Sequence, residues 1–368
     1  MKKKIRADHV GSLLRPAELL RARTAHAEGA IDDTALHRSE DIAIRDAVRK
    51  QRDIGLDILS DGEFRRASWL ADMAGAVEGF VPQKVMLEWK GPGGGHEPSA
   101  ANAVGAKLRK QRKLTAHEVP LMQEIARGDF KVTLPAPSNF MLSSYKPGFT
   151  EQFYPTPGDL LADLVTIVRD EIDWLVAQNV TYIQFDAPFY SHYLDPDHRA
   201  RMQAAGRDPD AELAQAIAAD NACFSGVPRD TVETALHICR GNNRSRWYME
   251  GGYGVIAETL FGSLDVDRFL LEFDDQRSGD FEPLKAVPQD KVVVLGLITT
   301  KVPTVENPND LRRRIDQAGR FIPLERLAIS PQCGFASIAA GNLLSPDDQC
   351  RKLELVVETA RKVWPGGA

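Results

Sequence analysis

The stretch Val292-Val293-Val294-Leu295-Gly296-Leu297-Ile298, running straight into Thr299-Thr300-Lys301, decides the fold. Apolar residues without polar alternation read as a strand covered on both faces, the habit of parallel sheets clad in helices. Working outward, comparable short runs recur along the chain. They are Ile5–Val10, Leu56–Ser60, Lys131–Leu134, Tyr182–Phe185, Ala235–Ile238, Phe269–Phe273 and Leu327–Ser330. Helical spacing fills many of the intervals: Asp32–Ile54 stops at Gly55, and Asp159–Gln178 precedes the fourth run. Asn307-Pro308 and Ser345-Pro346 each set a capping side chain before a proline at the first helical position. Strand then helix, repeated eight times, predicts an α/β fold, a single closed (β/α)8 TIM barrel.

The chain's 368 residues suit one such barrel, with no linker to split them, so a single domain is expected over 1–368. The third unit carries an insertion, about 81–120, with Gly91-Pro92-Gly93-Gly94-Gly95 and a basic stretch Lys107–Lys113. It reads as a hairpin or arm, as a solvated loop, or as a contact that makes a homodimer plausible. The net charge of −6, from 46 basic and 52 acidic residues, argues against nucleic acid or an anionic membrane as the main partner. No run of about 18 apolar residues suggests a span, and Ala7-Asp8-His9 stands where a signal peptide needs apolar residues, so the cytoplasm is expected. Cys223, Cys239, Cys333 and Cys350 form no CxxC pair and are expected as reduced thiols.

The predicted strands end on chemistry: His9-Val10-Gly11-Ser12, Asp61-Gly62-Glu63, Pro137-Ser138-Asn139, Asp186, His237-Ile238-Cys239, Glu272, Thr299-Thr300-Lys301 and Cys333. Barrel active sites are built where strands deliver polar groups to the C-terminal face. His237 and Cys239 share one side of a strand, because side chains alternate with period two. With Cys333 and Glu272 they make a four-coordinate zinc set, since thiolates favour zinc over magnesium or calcium. Cys223 and Cys350 sit in helical stretches and read as small apolar residues.

Ala7-Asp8-His9-Val10-Gly11-Ser12, Asp61-Gly62-Glu63-Phe64, Leu236-His237-Ile238-Cys239-Arg240-Gly241-Asn242 and Ser330-Pro331-Gln332-Cys333-Gly334-Phe335 carry a resemblance. Over nearly its whole length the chain resembles the C-terminal catalytic barrel of the cobalamin-independent methionine synthases. The resemblance implies a barrel of the methionine synthase/uroporphyrinogen decarboxylase type and a catalytic Zn2+ on His237, Cys239, Glu272 and Cys333. It further implies homocysteine as the thiol, held by Val10, Gly11, Ser12, Glu63 and Asp186, and methyl transfer from a small donor. Glu272 would loosen as the thiol arrives. His9 and His192 are expected near the pocket.

Two departures stand out. The family's proton-donating histidine after the seventh strand is absent, leaving Lys301 as the candidate donor. Pro137-Ser138-Asn139-Phe140 also lacks the family's folate-stacking tryptophan. The wider group includes epoxyalkane:coenzyme M transferases, in which Arg240, Arg244 and Arg246 would meet a sulfonate. A third reading is a non-catalytic zinc-stabilised barrel.

Overall fold

Six of the eight expected strands form one parallel sheet. A computed structural model describes residues 4–127 and 130–366. A two-stranded antiparallel ribbon comes first, β1 (Val77–Trp89) with β2 (Gly95–Lys110). The sheet follows in chain order: β3 (Lys131–Pro135), β4 (Tyr182–Asp186), β5 (Glu233–Ile238), β6 (Arg268–Glu272), β7 (Val292–Ile298) and β8 (Leu327–Pro331). Every residue of β3, β4, β6 and β8 is buried, as continuously apolar strands between helices should be.

The first two expected strands are extended segments held by isolated bridges. Ala7 pairs in parallel with Ile329 of β8, and Leu59 pairs with Phe130 beside β3. The Asp8 amide donates to Ile329 O at 3.0 Å, Asp57 N to Ala7 O at 3.1 Å, and Lys131 N to Leu59 O at 2.9 Å. Side chains take the remaining ladder groups. Asp57 accepts from the Arg6 and Ala7 amides at 2.6 and 2.8 Å, while Gln51 brackets both backbone groups of Ser60 at 2.8 and 3.0 Å. The backbone is satisfied there without regular strand pairing.

Ile5, Val10, Ile58, Tyr182, Ala235, Leu270, Val294 and Ala328 form their own buried cluster, drawn from both bridged segments and from β4 to β8. Beside it Lys131 Nζ donates to Asp8 and Gln184 at 2.8 Å each, and Tyr182 OH donates to Asp8 at 2.9 Å. These contacts tie the N-terminal segment to β3 and β4 from within.

The expected caps are present. Asp32 caps the helix Asp33–Ile54, which ends at Gly55 in the left-handed conformation, φ 93°. Asn307 caps Pro308–Ala318, and Ser345 with Asp348 forms a capping box on Pro346–Val363. One helix is missing from the expected alternation. Among the described residues only two 3-10 turns, Gln276–Ser278 and Glu282–Ala286, link β6 to β7, in a segment broken by Gly279, Pro283 and Pro288. None of the helices among the described residues is long and apolar enough to cross a membrane.

The insertion is an ordered hairpin beginning at Val77, and it leans on the sheet's C-terminal end. Lys90 and Trp247 exchange backbone hydrogen bonds, Trp89 meets Tyr248 edge-on at 5.4 Å, and Phe80 lies 5.6 Å from Phe140. Lysines of its basic root are paired: Lys110 donates to Glu171 at 2.9 Å and Lys113 to Asp170 at 2.8 Å.

Candidate active site

β5 ends on His237-Ile238 and delivers Cys239 just beyond, while the loop after β8 delivers Cys333. The imidazole and both sulfurs lie within 4.8 Å of one another, and all three residues are buried. His237 Nδ1 meets Leu270 O at 3.1 Å, which fixes the ring, while its buried Nε2 has no hydrogen-bond partner. An orphaned buried nitrogen of this kind calls for an occupant. Asn242 stitches the two loops together by donating to Gly334 O at 2.7 Å.

Glu272 is not among these converging atoms. Its Oε1 accepts from Arg277 Nε at 2.8 Å and its Oε2 from the Arg240 amide at 2.9 Å. Burial would push this carboxyl up, but Lys301, Arg277 and Arg240 outweigh it and hold it below its ordinary value. Lys301 is buried, donating to Gly241 O at 3.1 Å and Asn242 Oδ1 at 3.4 Å, and its charge acts on the carboxylates of Glu272 and Asp274. Arg240 is also buried, with its guanidinium on Gly251 O and Tyr253 OH.

Glu63 and Asp186 do come together. Glu63 sits at a strained φ of 58°, takes one hydrogen bond from Thr133 at 3.1 Å, and leaves Oε2 buried without a partner. Burial drives its carboxyl up to about 7, with Asp186 and Asp61 adding to the rise against Arg66 and Arg15. Burial raises Asp186 as well, and its Oδ1 accepts from Gln184 at 2.8 Å. The neighbouring arginines are engaged elsewhere: Arg65 pairs with Glu40 at 2.8 Å, and Arg66 with Asp72 at 2.6 Å and Glu118 at 2.9 Å. That last arrangement places a guanidinium among Asp72, His117 and Glu118, a second group with ligand-type spacing.

The first turn fits closely around this pair. A Cβ at Gly11 (φ 147°) would lie 3.1 Å from Glu63 Oε1, and one at Gly334 would collide with Ser12 Oγ at 1.9 Å. Both glycines let backbone pass where no side chain fits. His9 lies beneath, with Nε2 on Ile58 O at 3.1 Å, and burial lowers its pKa to about 3.

A cavity of about 800 Å³ joins these groups. Ser12, Glu63, Asp186, His237, Cys239 and Cys333 form its floor, with Val10 beside them, and the β1–β2 ribbon walls it through Val85, Leu87 and Trp89. His9, Gly11, Arg240, Glu272 and Lys301 do not line it. Three aromatic wall residues follow one another: Trp69 lies 6.3 Å from Phe189, which stacks on His192 at 4.7 Å. His192 was expected near the pocket, whereas Trp69, Phe189 and the ribbon were not. Trp69 and Phe189 stand in no recognisable pattern, and the ribbon's role depends on long-range docking.

An α/β sheet whose strand ends gather an imidazole, two thiols and two buried carboxylates around one cavity defines a class of enzyme-like proteins. The model of the cobalamin-independent synthase catalytic domain matches residues 6–361, and this chain belongs to that family. It is 36% identical to the uncharacterised protein YxjH of Bacillus subtilis (strain 168), over 98% of this chain and 94% of that one. It is 25% identical to the methionine synthase of Thermococcus kodakarensis, over 88% and 85% respectively. Among solved structures, a Listeria monocytogenes protein described provisionally as a vitamin-B12-independent methionine synthase superposes with a TM-score of 0.76. It covers 99% of each chain at 27% identity.

Proposed function

We propose that this chain is a zinc-dependent S-methyltransferase that converts homocysteine to methionine, a single catalytic domain on a closed (β/α)8 barrel. Its four free cysteines suit the reducing cytoplasm. The observation that carries the reading is the buried His237–Cys239–Cys333 triad opening onto a cavity shared with Glu63 and Asp186. Barrel closure is supported by the bridges from Ala7 to β8 and from Leu59 to Phe130.

The residues fit a zinc ion. His237 Nε2 is unpartnered, and Cys239 packed against Cys333 pushes the Cys333 thiol well above its usual range, so that thiol ionises only beside a cation. Zinc bound there would lower the pKa of an incoming thiol and keep it as a nucleophilic thiolate at neutral pH. Glu63 and Asp186 receive the substrate's ammonium, and Ser12 meets its carboxylate. The cavity falls in the roughly 300–1,000 Å³ range of drug-sized ligands, so an amino-acid thiol leaves room for a bulky methyl donor under the ribbon. Arg244 and Lys146 line that space and offer cations to an acidic donor.

Thiol addition to an epoxide is less well supported. Arg240 is buried elsewhere and Arg246 pairs with Glu97 at 3.0 Å, leaving only Arg244 of the three arginines on the wall. A purely structural zinc site would be closed by four fixed ligands, whereas this triad faces a cavity. The test is metal content together with calorimetry against homocysteine and coenzyme M. We expect zinc in the purified protein and homocysteine binding with release of about one proton at pH 8. His237→Ala and Cys333→Ser should lose both metal and turnover. Active metal-free protein, or a preference for coenzyme M, would overturn the reading.

A further inference from the structure

β3 and β4 pair Lys131 with Tyr182, Thr133 with Gln184 and Pro135 with Asp186. Gln184 and Asp186 stand two apart on β4 and share one face of the strand. Asp186 reaches the cavity, whereas Gln184 and Lys131 are buried beneath it and do not line it. The Gln184 amide is wholly engaged. Its Oε1 accepts from Lys131 Nζ at 2.8 Å, and its Nε2 donates to Val10 O at 2.6 Å and to Asp186 Oδ1 at 2.8 Å. Its orientation is set from behind. Lys131 Nζ meets Asp8 Oδ1 at 2.8 Å, Gln184 Oε1 at 2.8 Å and also His9 O. Three acceptors around one nitrogen take three hydrogens, so Lys131 is an ammonium with no lone pair to offer. Its charge is matched by Asp8, in an ion pair with neither side chain exposed. Gln184 must therefore turn its oxygen to Lys131 and its N–H groups to Val10 and Asp186.

We propose that Gln184, keyed by Lys131, is a positioning residue that fixes the Asp186 carboxylate for an α-ammonium group, so that the site selects an amino-acid thiol over the same thiol without its amine. The inference rests on the function proposed above and deepens it by naming the group that sets the substrate class. A carboxylate anchored through one oxygen is ordered before the substrate arrives, which removes part of the cost of binding. In a Gln184 variant Lys131 still holds His9 O, so the first turn, with Ser12 for the substrate carboxylate, keeps its path.

The test compares zinc-loaded wild type with Gln184→Met by calorimetry, using homocysteine and 4-mercaptobutanoate, which is homocysteine without the amine. Wild type is expected to prefer homocysteine. Gln184→Met is close in size but has no N–H to donate. It should bind homocysteine about tenfold more weakly, the scale of one hydrogen bond to a charged group, and 4-mercaptobutanoate as wild type does. A merely structural role would weaken both thiols alike; that result, or an unchanged preference, would overturn the proposal. Should Gln184→Met fail to fold, Gln184→Glu keeps an oxygen for Lys131 but offers no N–H. Loss of its preference for homocysteine supports the proposal, and a preference retained overturns it. Wild type that does not bind homocysteine would instead sink the function proposed above, and this inference with it.

Discussion

At Glu63 a single carboxyl is asked to stay buried without a full set of partners. Its pKa rises to about 7 from an ordinary 4.5, chiefly through burial. Between those values the folded protein holds a proton that the unfolded chain has released, so this group makes stability fall as pH rises from about 4.5 to 7. Glu63→Gln should therefore raise the melting temperature by a few degrees at pH 8 and leave it nearly unchanged at pH 5. The same substitution should weaken homocysteine binding. In wild type the bound ammonium favours the ionised carboxylate, so affinity should tighten between pH 6 and 8. Proton release should be larger at pH 6, where Glu63 contributes its own proton to that of the thiol. Calorimetry across that range checks both; proton release no larger at pH 6 than at pH 8 would remove Glu63 from the ammonium site. The strand-end residues were legible in the sequence because polar groups are costly to bury unpaired along a strand, whereas the roles of His237, Cys239 and Glu63 were legible through the family resemblance. Which way Lys301 and Arg240 turn was not, since that depends on Glu272 and Tyr253 as partners.

The ribbon of β1 and β2 makes the difference between a bare sheet end and an enclosed chamber. Its docking rests on Trp89 against Tyr248, Lys90 against Trp247, and Glu97 against Arg246. Trp89→Ala should loosen that wall. The expected outcome is a methyl-donor KM raised about tenfold or more, since an aromatic anchor at a packed contact contributes on the order of 2 kcal/mol, with zinc content and homocysteine affinity unchanged. Equal loss of donor and thiol binding would show that the ribbon shapes the floor as well. The glycine run at 91 and 93–95 allowed a hairpin, a solvated loop or a subunit contact, and nothing in the flanking residues named the surface against which it docks. The two N-terminal runs were read as strands from their apolar pattern, and they do lie edge to edge with β8 and β3. Their irregularity was hidden because it arises from Asp57 and Gln51, polar side chains that substitute for ladder hydrogen bonds. The helix expected between β6 and β7 failed for a local reason visible in hindsight: glycine and two prolines interrupt that segment.

For the molecule as a whole, closure of the sheet into a ring is the claim that the seam tests. The amides of Asp8 and Ile329 donate across it, between the N-terminal segment and β8, at 3.0 and 2.9 Å, and the Lys131 amide donates to Leu59 O at 2.9 Å where the second segment meets β3. If the ring is closed, these amides should exchange with solvent as slowly as those of β5 and β6, by global unfolding alone. Exchange by local fraying would describe an open sheet with two loose edges. The seam also brings the two ends of the polypeptide together, with Ser12 Oγ filling the space over Gly334. During synthesis, then, the acid pair and His237 emerge long before Cys333 exists to complete the triad. If the triad holds zinc as proposed, a nascent chain has no complete site to load, and metal uptake has to wait until the last strand is free of the ribosome and has found the first.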